Sequence, residues 1–144
     1  MADIVYAEDV HNYFKTSQTH AATWIERAKK EISSIGGSII SEGSGTFQNK
    51  TVFMIEFRLG GEIFKINWSV LPCRYKGNEK AAIIQAATML YHDVKHKCVM
   101  AKIKGVNRAF LEYLMLPNGA PAGEIANDPR QILPLVLALP EKTG

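Results

Sequence analysis

The stretch from Val52 to Val70 constrains the fold of this 144-residue chain more than any other. From Val52 to Leu59 the residues alternate: Phe53, Ile55, Phe57 and Leu59 point one way, while Met54, Glu56 and Arg58 point the other. Successive strand residues face opposite sides of a sheet, so the run describes a strand with one apolar face. Gly60-Gly61 comes next, and a two-residue hairpin turn needs positive φ at both central positions, which glycine accepts without steric cost. Across it Phe64, Ile66, Trp68 and Val70 alternate with Ile63, Lys65, Asn67 and Ser69. The two runs therefore pair with their apolar sets on one side, with Phe57 and Trp68 as the expected anchors. That side needs a cover.

Helical patterns flank the hairpin. From Ser17 onward, Ala21, Trp24, Ile25, Ala28, Ile32 and Ile35 recur at steps of three and four until Gly36-Gly37 ends the pattern. Ser38 to Ser44 reads as a short first strand, and Gly45 to Lys50 as a turn. On the other side, Glu79 to Lys104 is the longest helical pattern, with Ile83, Ala87, Leu90, Val94, Cys98 and Ala101 on one apolar stripe. Gln85, Thr88, His92, Lys95, His96 and Lys102 fall on the opposite, polar side, with Lys97 and Lys104 on a flank. Asn78 is placed to cap this helix, and Gly105 to stop it after Lys102 and Lys104.

The expected fold class is α+β, in the order α-β-β-β-α, with a three-stranded antiparallel meander packed by the long helix. A small C-terminal helical segment, capped by Asn107 and running through Ala109, Phe110, Tyr113 and Leu114, is stopped by Pro117-Asn118-Gly119. At 47% hydrophobic the chain can build one core, assigned to residues 1–119, with 1–16 as a short helix or arm. Residues 120–144 read as a linker, Ala120-Pro121-Ala122-Gly123, and an apolar tail from Leu133 to Leu139. No apolar run is long enough to span a bilayer and no signal-peptide pattern opens the chain, so a cytoplasmic location without membrane association is expected. Cys73 and Cys98 have no second CxxC, which points to reduced thiols rather than a zinc ribbon or disulfide scaffold.

Charge is unevenly spread. Cys73 to Arg108 holds eight lysines and arginines against two acids, a local +6 in a chain whose overall formal charge is +3. A polyanion responds to that local field more than to the molecular sum. A lysine-rich helix face is ordinarily just a solvated surface. The adjoining loop Arg74-Tyr75-Lys76-Gly77 adds cations beside an aromatic ring, a combination that holds phosphates and stacks bases.

Three kinds of chemistry find less support. His92 and His96 have the i, i+4 spacing of two metal ligands, but Asp93 stands where a zinc protease carries glutamate and no distant third ligand stands out, so neither metal nor cofactor is expected. A metal-dependent nuclease is the third-ranked function, with Glu56, Glu62 and Lys65 as its candidates. Glu62 and Lys65 are separated by an odd step and face opposite sides of a regular strand, which opposes that site. Gly60-Gly61 is succeeded by a strand rather than the helix that a phosphate loop requires, and no serine lies in a nucleophile-elbow context. The chain does not read as an enzyme.

The run from Glu79 to Lys95 (EKAAIIQAATMLYHDVK), with Ala109 to Leu114 (AFLEYL) and Leu116 to Gly119 (LPNG) after it, resembles proteins encoded in phage recombination regions. The group it is most similar to is the phage single-strand annealing proteins, over roughly residues 38–119, by order of elements and motif. The resemblance implies a homo-oligomer that binds single-stranded DNA along a basic groove and promotes pairing of complementary strands. Together, resemblance and charge nominate Arg58, Lys65, Arg74, Tyr75, Lys76, Lys80, Lys95, Lys102 and Lys104 as nucleic-acid-binding residues, with no catalytic residue among them. The alternative is a phage or mobile-element protein that binds a host protein through its Leu133 to Leu139 tail.

Overall fold

Gly60 and Gly61 take φ of 60° and 83°, closing the tight hairpin around which the sheet forms. The computed structural model describes residues 4–16, 18–47 and 50–125. Its elements are α1 (Ala7–Val10), α2 (Ala21–Ser34), β1 (Ser38–Phe47), β2 (Lys50–Leu59), β3 (Glu62–Ser69), α3 (Glu79–Lys104) and α4 (Val106–Ala109). Short 3-10 turns come after these at Leu111–Tyr113 and Ala122–Ile125. The domain is α+β, with a three-stranded antiparallel sheet in the order β1-β2-β3 and a long helix on its inner face.

The hairpin register is the one the alternation dictates: Phe57 lies opposite Phe64, Ile55 opposite Ile66 and Phe53 opposite Trp68. Phe57 and Phe64 are completely buried with centroids 5.4 Å apart, and Phe110 closes the cluster at 5.6 and 5.7 Å. Trp68 differs from its expected role. It packs against this core only in part, beside Tyr113 and Pro121 at a surface cleft, so Phe110 rather than Trp68 is the second anchor.

β1 runs to Phe47 rather than stopping at Ser44, and β2 starts at Lys50 rather than Val52, so the connection is shorter than expected. Gly43 and Gly45 lie opposite Met54 and Val52 on the outer face, where backbone pairing continues the strand without side-chain packing. A register shift between Ile39 and Ser41 leaves Ile40 half exposed at the bulge. Gly37 lies just past α2, where an added Cβ would sit 2.5 Å from Ile32 Cγ2; this close approach explains the glycine there.

Helix α3 is not the simple two-faced helix its pattern suggests. Ala87, Leu90, Val94 and Cys98 are buried as expected, but Gln85 and Thr88 of the supposed polar side are buried too. The N-terminal segment meets Gln85. Gln85 Nε2 donates to the carbonyls of Ala7 at 3.1 Å and Asn12 at 3.0 Å, while the Thr88 hydroxyl donates to Ile84 O one turn back. Gly105, at φ 92°, ends the helix after Lys104. Asn107 does not cap the next helix, because α4 starts at Val106 directly after that glycine.

The 120–123 stretch, expected as a linker, is folded onto the domain. Met115 N donates to Ile63 O at the β3 edge, Ala122 N donates to Leu114 O, and Ala122 is buried. Asn67 Nδ2 donates to Glu124 at 2.8 Å, fastening the segment to β3. The apolar tail from Leu133 to Leu139 lies outside the described residues. Among the described residues no helix is long and apolar enough to cross a membrane.

Candidate nucleic-acid interface

The loop from Val70 to Asn78 leaves β3 and turns into α3. Val70 N donates to Thr51 O at 2.8 Å, which fixes the loop's start against β2, and Gly77 at φ 93° makes its last bend. Between these points the backbone wraps around α1: Ala7 N donates to Pro72 O at 2.9 Å. The Glu8 carboxylate receives the amides of Arg74 (2.8 and 3.1 Å) and Tyr75 (3.1 Å) and the Asn78 side-chain amide (2.8 Å). Asn78 therefore does not cap α3 through its side chain, as its position suggests; it serves this carboxylate.

These bonds hold the Glu8 carboxyl down to about 2, the Arg74 amide contributing most, slight burial opposing, and Asn78 and Tyr75 assisting. The Arg74 guanidinium donates to Asp9 at 2.6 Å and lies 4.4 Å from the Tyr6 ring centroid. That hydrogen bond to Asp9 raises the Arg74 pKa further. Two acids of one four-residue helix are thus bound by one loop.

Around this seat stand cations without an acidic partner among the described residues. Lys76 and Lys80 are exposed and make no ion pair, and Tyr75 presents its ring to solvent at 65% exposure. Lys15 and Lys80 line one shallow cleft with Gly77 and Gln18. Lys50 reaches a second, between Thr51, Cys73 and Glu79. Lys15 and Lys50 were not among the sequence candidates, since each is isolated in its own stretch and only the fold brings them to the loop.

The nominated residues fall into three groups. Arg74, Tyr75, Lys76 and Lys80 are together at the start of α3. Arg58 and Lys65 lie on the outer face of the sheet, opposite Ile63 and Glu56 across the β2–β3 pairing. Lys95 is exposed midway along α3, 5.9 Å from the Tyr91 ring centroid, and Lys102 and Lys104 end the helix. A rise of 1.5 Å per residue puts Lys104 about 36 Å beyond Lys80. No single groove unites them.

Two other features acquire roles. Lys97 is neutralised by Asp93 at 2.9 Å and Glu112 at 2.7 Å, and Asp93 also accepts from the Tyr113 hydroxyl. Burial disfavours the Lys97 ammonium, but these carboxylates outweigh it and its pKa rises. Burial pushes the Tyr113 phenol up, and the same two acids add to the shift. The network locks the C-terminal turn to α3. His92 stacks on Tyr13 at 4.9 Å and 11°, near Trp24 and Tyr91, and the Arg27 guanidinium lies 4.8 Å from the Trp24 centroid. Tyr13, Trp24, Tyr91 and His92 come to this group from three separate stretches of the chain, which no local pattern links.

Glu56 and Lys65 face each other on the outer sheet face, and the β2–β3 register contains no bulge, so Glu62 stays on the other side, opposite Leu59. Among the described residues no group of three or more histidines, cysteines or acids is placed to hold a metal ion. Comparison with protein-family models, curated proteins and solved structures finds no match.

Proposed function

We propose that this protein binds single-stranded nucleic acid in the cytoplasm, without catalysis, through the loop and helix start formed by Arg74, Tyr75, Lys76 and Lys80. The observation that supports this reading most is the convergence of the Arg74 and Tyr75 amides, the Asn78 amide and a guanidinium on one acidic pair. Converging backbone N–H groups are how proteins seat phosphates. Lys76 lies next to the seat's amide donors in the loop, Lys80 and Lys15 line the cleft beside Gly77, and the exposed Tyr75 ring offers a face for a base. Strand annealing by homo-oligomers, as in the phage proteins the sequence resembles, is the fuller form of the same proposal.

The test is fluorescence polarisation of labelled single- and double-stranded oligonucleotides at two salt concentrations. Affinity for the single strand falls with salt, with a log–log slope of about −0.7 per phosphate contact. Replacing Arg74 and Lys76 together by Ala flattens that slope. Absence of binding at about 50 mM salt, where the electrostatic attraction is strong, refutes the proposal.

A further inference from the structure

The anion in the loop seat belongs to the chain itself. Glu8 accepts from three loop groups, and Asp9 takes the Arg74 guanidinium. These are the donors that a phosphodiester would need. We infer that Glu8 and Asp9 are an intramolecular stand-in for phosphate, occupying the seat until a phosphate of a bound single strand displaces their carboxylates. The inference rests on the nucleic-acid reading above and assigns its regulation.

Three observations carry it. First, the match is chemical: a carboxylate and a phosphate are both oxyanions that accept from paired amides, and guanidinium binds either one. Second, the acids do not neutralise the neighbourhood. Lys76 and Lys80 have no acidic partner among the described residues, and the chain turns through positive φ at His11, Tyr13 and Lys15 to bring Lys15 back beside Lys80. Glu79, which accepts from the Gly77 amide, is a third acid at the loop. Arg74, Lys76, Lys80 and Lys15 thus exceed Glu8, Asp9 and Glu79 by one charge while the acids stay in place, and by more once a strand displaces Glu8 and Asp9 from the donors.

Third, exchange requires little movement. Gln85 holds the carbonyls of Ala7 and Asn12, on either side of the acids, and Ala7 is buried. The backbone of α1 remains tethered while the side chains of Glu8 and Asp9 swing into water. Asp9 is exposed and Glu8 is partly so, which leaves both carboxylates a short path to water. The carboxylates thus compete with every phosphate for the same donors. They set a threshold that a single small anion passes poorly and a strand, held also by Lys15, Lys76 and Lys80, passes more readily.

The experiment uses the full chain and the double variant Glu8→Ala with Asp9→Asn. Two readouts are taken: the Arg74 and Tyr75 amide resonances during titration with inorganic pyrophosphate, and the polarisation of a labelled single strand. Clearing the seat is expected to let pyrophosphate shift both amides, which barely respond in the parent, and to raise oligonucleotide affinity about five- to tenfold. Should the double variant lose its folded spectrum, Glu8→Gln keeps a neutral acceptor in place and is measured in the same way. Oligonucleotide affinity that is equal or lower in the variant, with amides unmoved by pyrophosphate, overturns the stand-in and leaves nucleic-acid binding intact. Amides that shift only in the variant, with no oligonucleotide bound by either protein, uphold the anion seat and refute its nucleic-acid partner. Silence in both readouts overturns both.

Discussion

Single side chains here are tuned by bonds made far from their own stretch of sequence, and Glu8 is the clearest case. Its folded-state carboxyl is held at about 2 against an ordinary value of 4.5, so the unfolded chain binds the proton more readily. The stabilisation from its bonds is complete above about pH 4.5 and is lost as the pH falls through the folded-state value near 2. Carbon-detected titration of the Glu8 carboxyl should give a midpoint near 2, and the Arg74 and Tyr75 amides should move with it. A midpoint at the ordinary glutamate value contradicts the three-donor seat. The two thiols differ by the same kind of argument. Burial raises the Cys98 thiol to about 11 on the inner face of α3; Cys73, only partly covered, is also raised by burial and by Glu8 and Glu79. A disulfide reagent at mild alkaline pH should therefore modify Cys73 first and reach Cys98 only in denaturant. Rapid modification of both in the native protein is the contrary result.

Among the elements, the hairpin and α3 carry the stability. Phe57 and Phe64 face each other across β2 and β3 and both touch Phe110 from the segment after α3. Truncating Phe57 to Ala should cost about 3–5 kcal/mol in denaturant unfolding, whereas Trp68→Ala should cost clearly less because Trp68 is only partly covered. Equal costs at the two positions would mean that the burial order is wrong. The strand faces were legible because alternation and Gly60-Gly61 are local signals, and the ends of α2 and α3 because glycines mark them. Burial of Gln85 and Thr88 was not legible: Gln85 is met by Ala7 and Asn12, more than 70 residues away, Thr88 turns its hydroxyl back on its own helix, and polar side chains at helical spacing look solvated. The site divides in the same way. Tyr75, Lys76 and Lys80 announce themselves within one short run, but the acids that occupy the loop approach from 65 to 70 positions upstream and leave no periodic trace.

For the whole molecule the decisive fact is that its cations are dispersed. The loop group, the outer-face pair Arg58 and Lys65, and the end of α3 cannot meet one short strand together, since Lys80 and Lys104 alone are about 36 Å apart along the helix. Under the proposed function one copy would offer a strand only the few contacts of its loop group, and weak binding by a single copy is expected from so few released counterions. Several copies on one strand gain effective concentration without any new contact within the chain. That is the physical reason to expect the homo-oligomeric behaviour implied by the resemblance to annealing proteins. Light scattering and polarisation with oligonucleotides of about 4 and about 40 nucleotides, lengths at the lower end of and well above a single-domain footprint, measure the effect. The short strand should bind one copy weakly. The long one should bind several, with a steeper isotherm and a higher apparent affinity than its number of sites alone supplies. Lys102→Ala with Lys104→Ala should leave the short strand's affinity unchanged, because those lysines lie beyond its reach, while Arg74→Ala with Lys76→Ala should weaken both lengths. A single copy on the long strand, held no more tightly than on the short one, removes strand annealing and leaves a simple one-site binder.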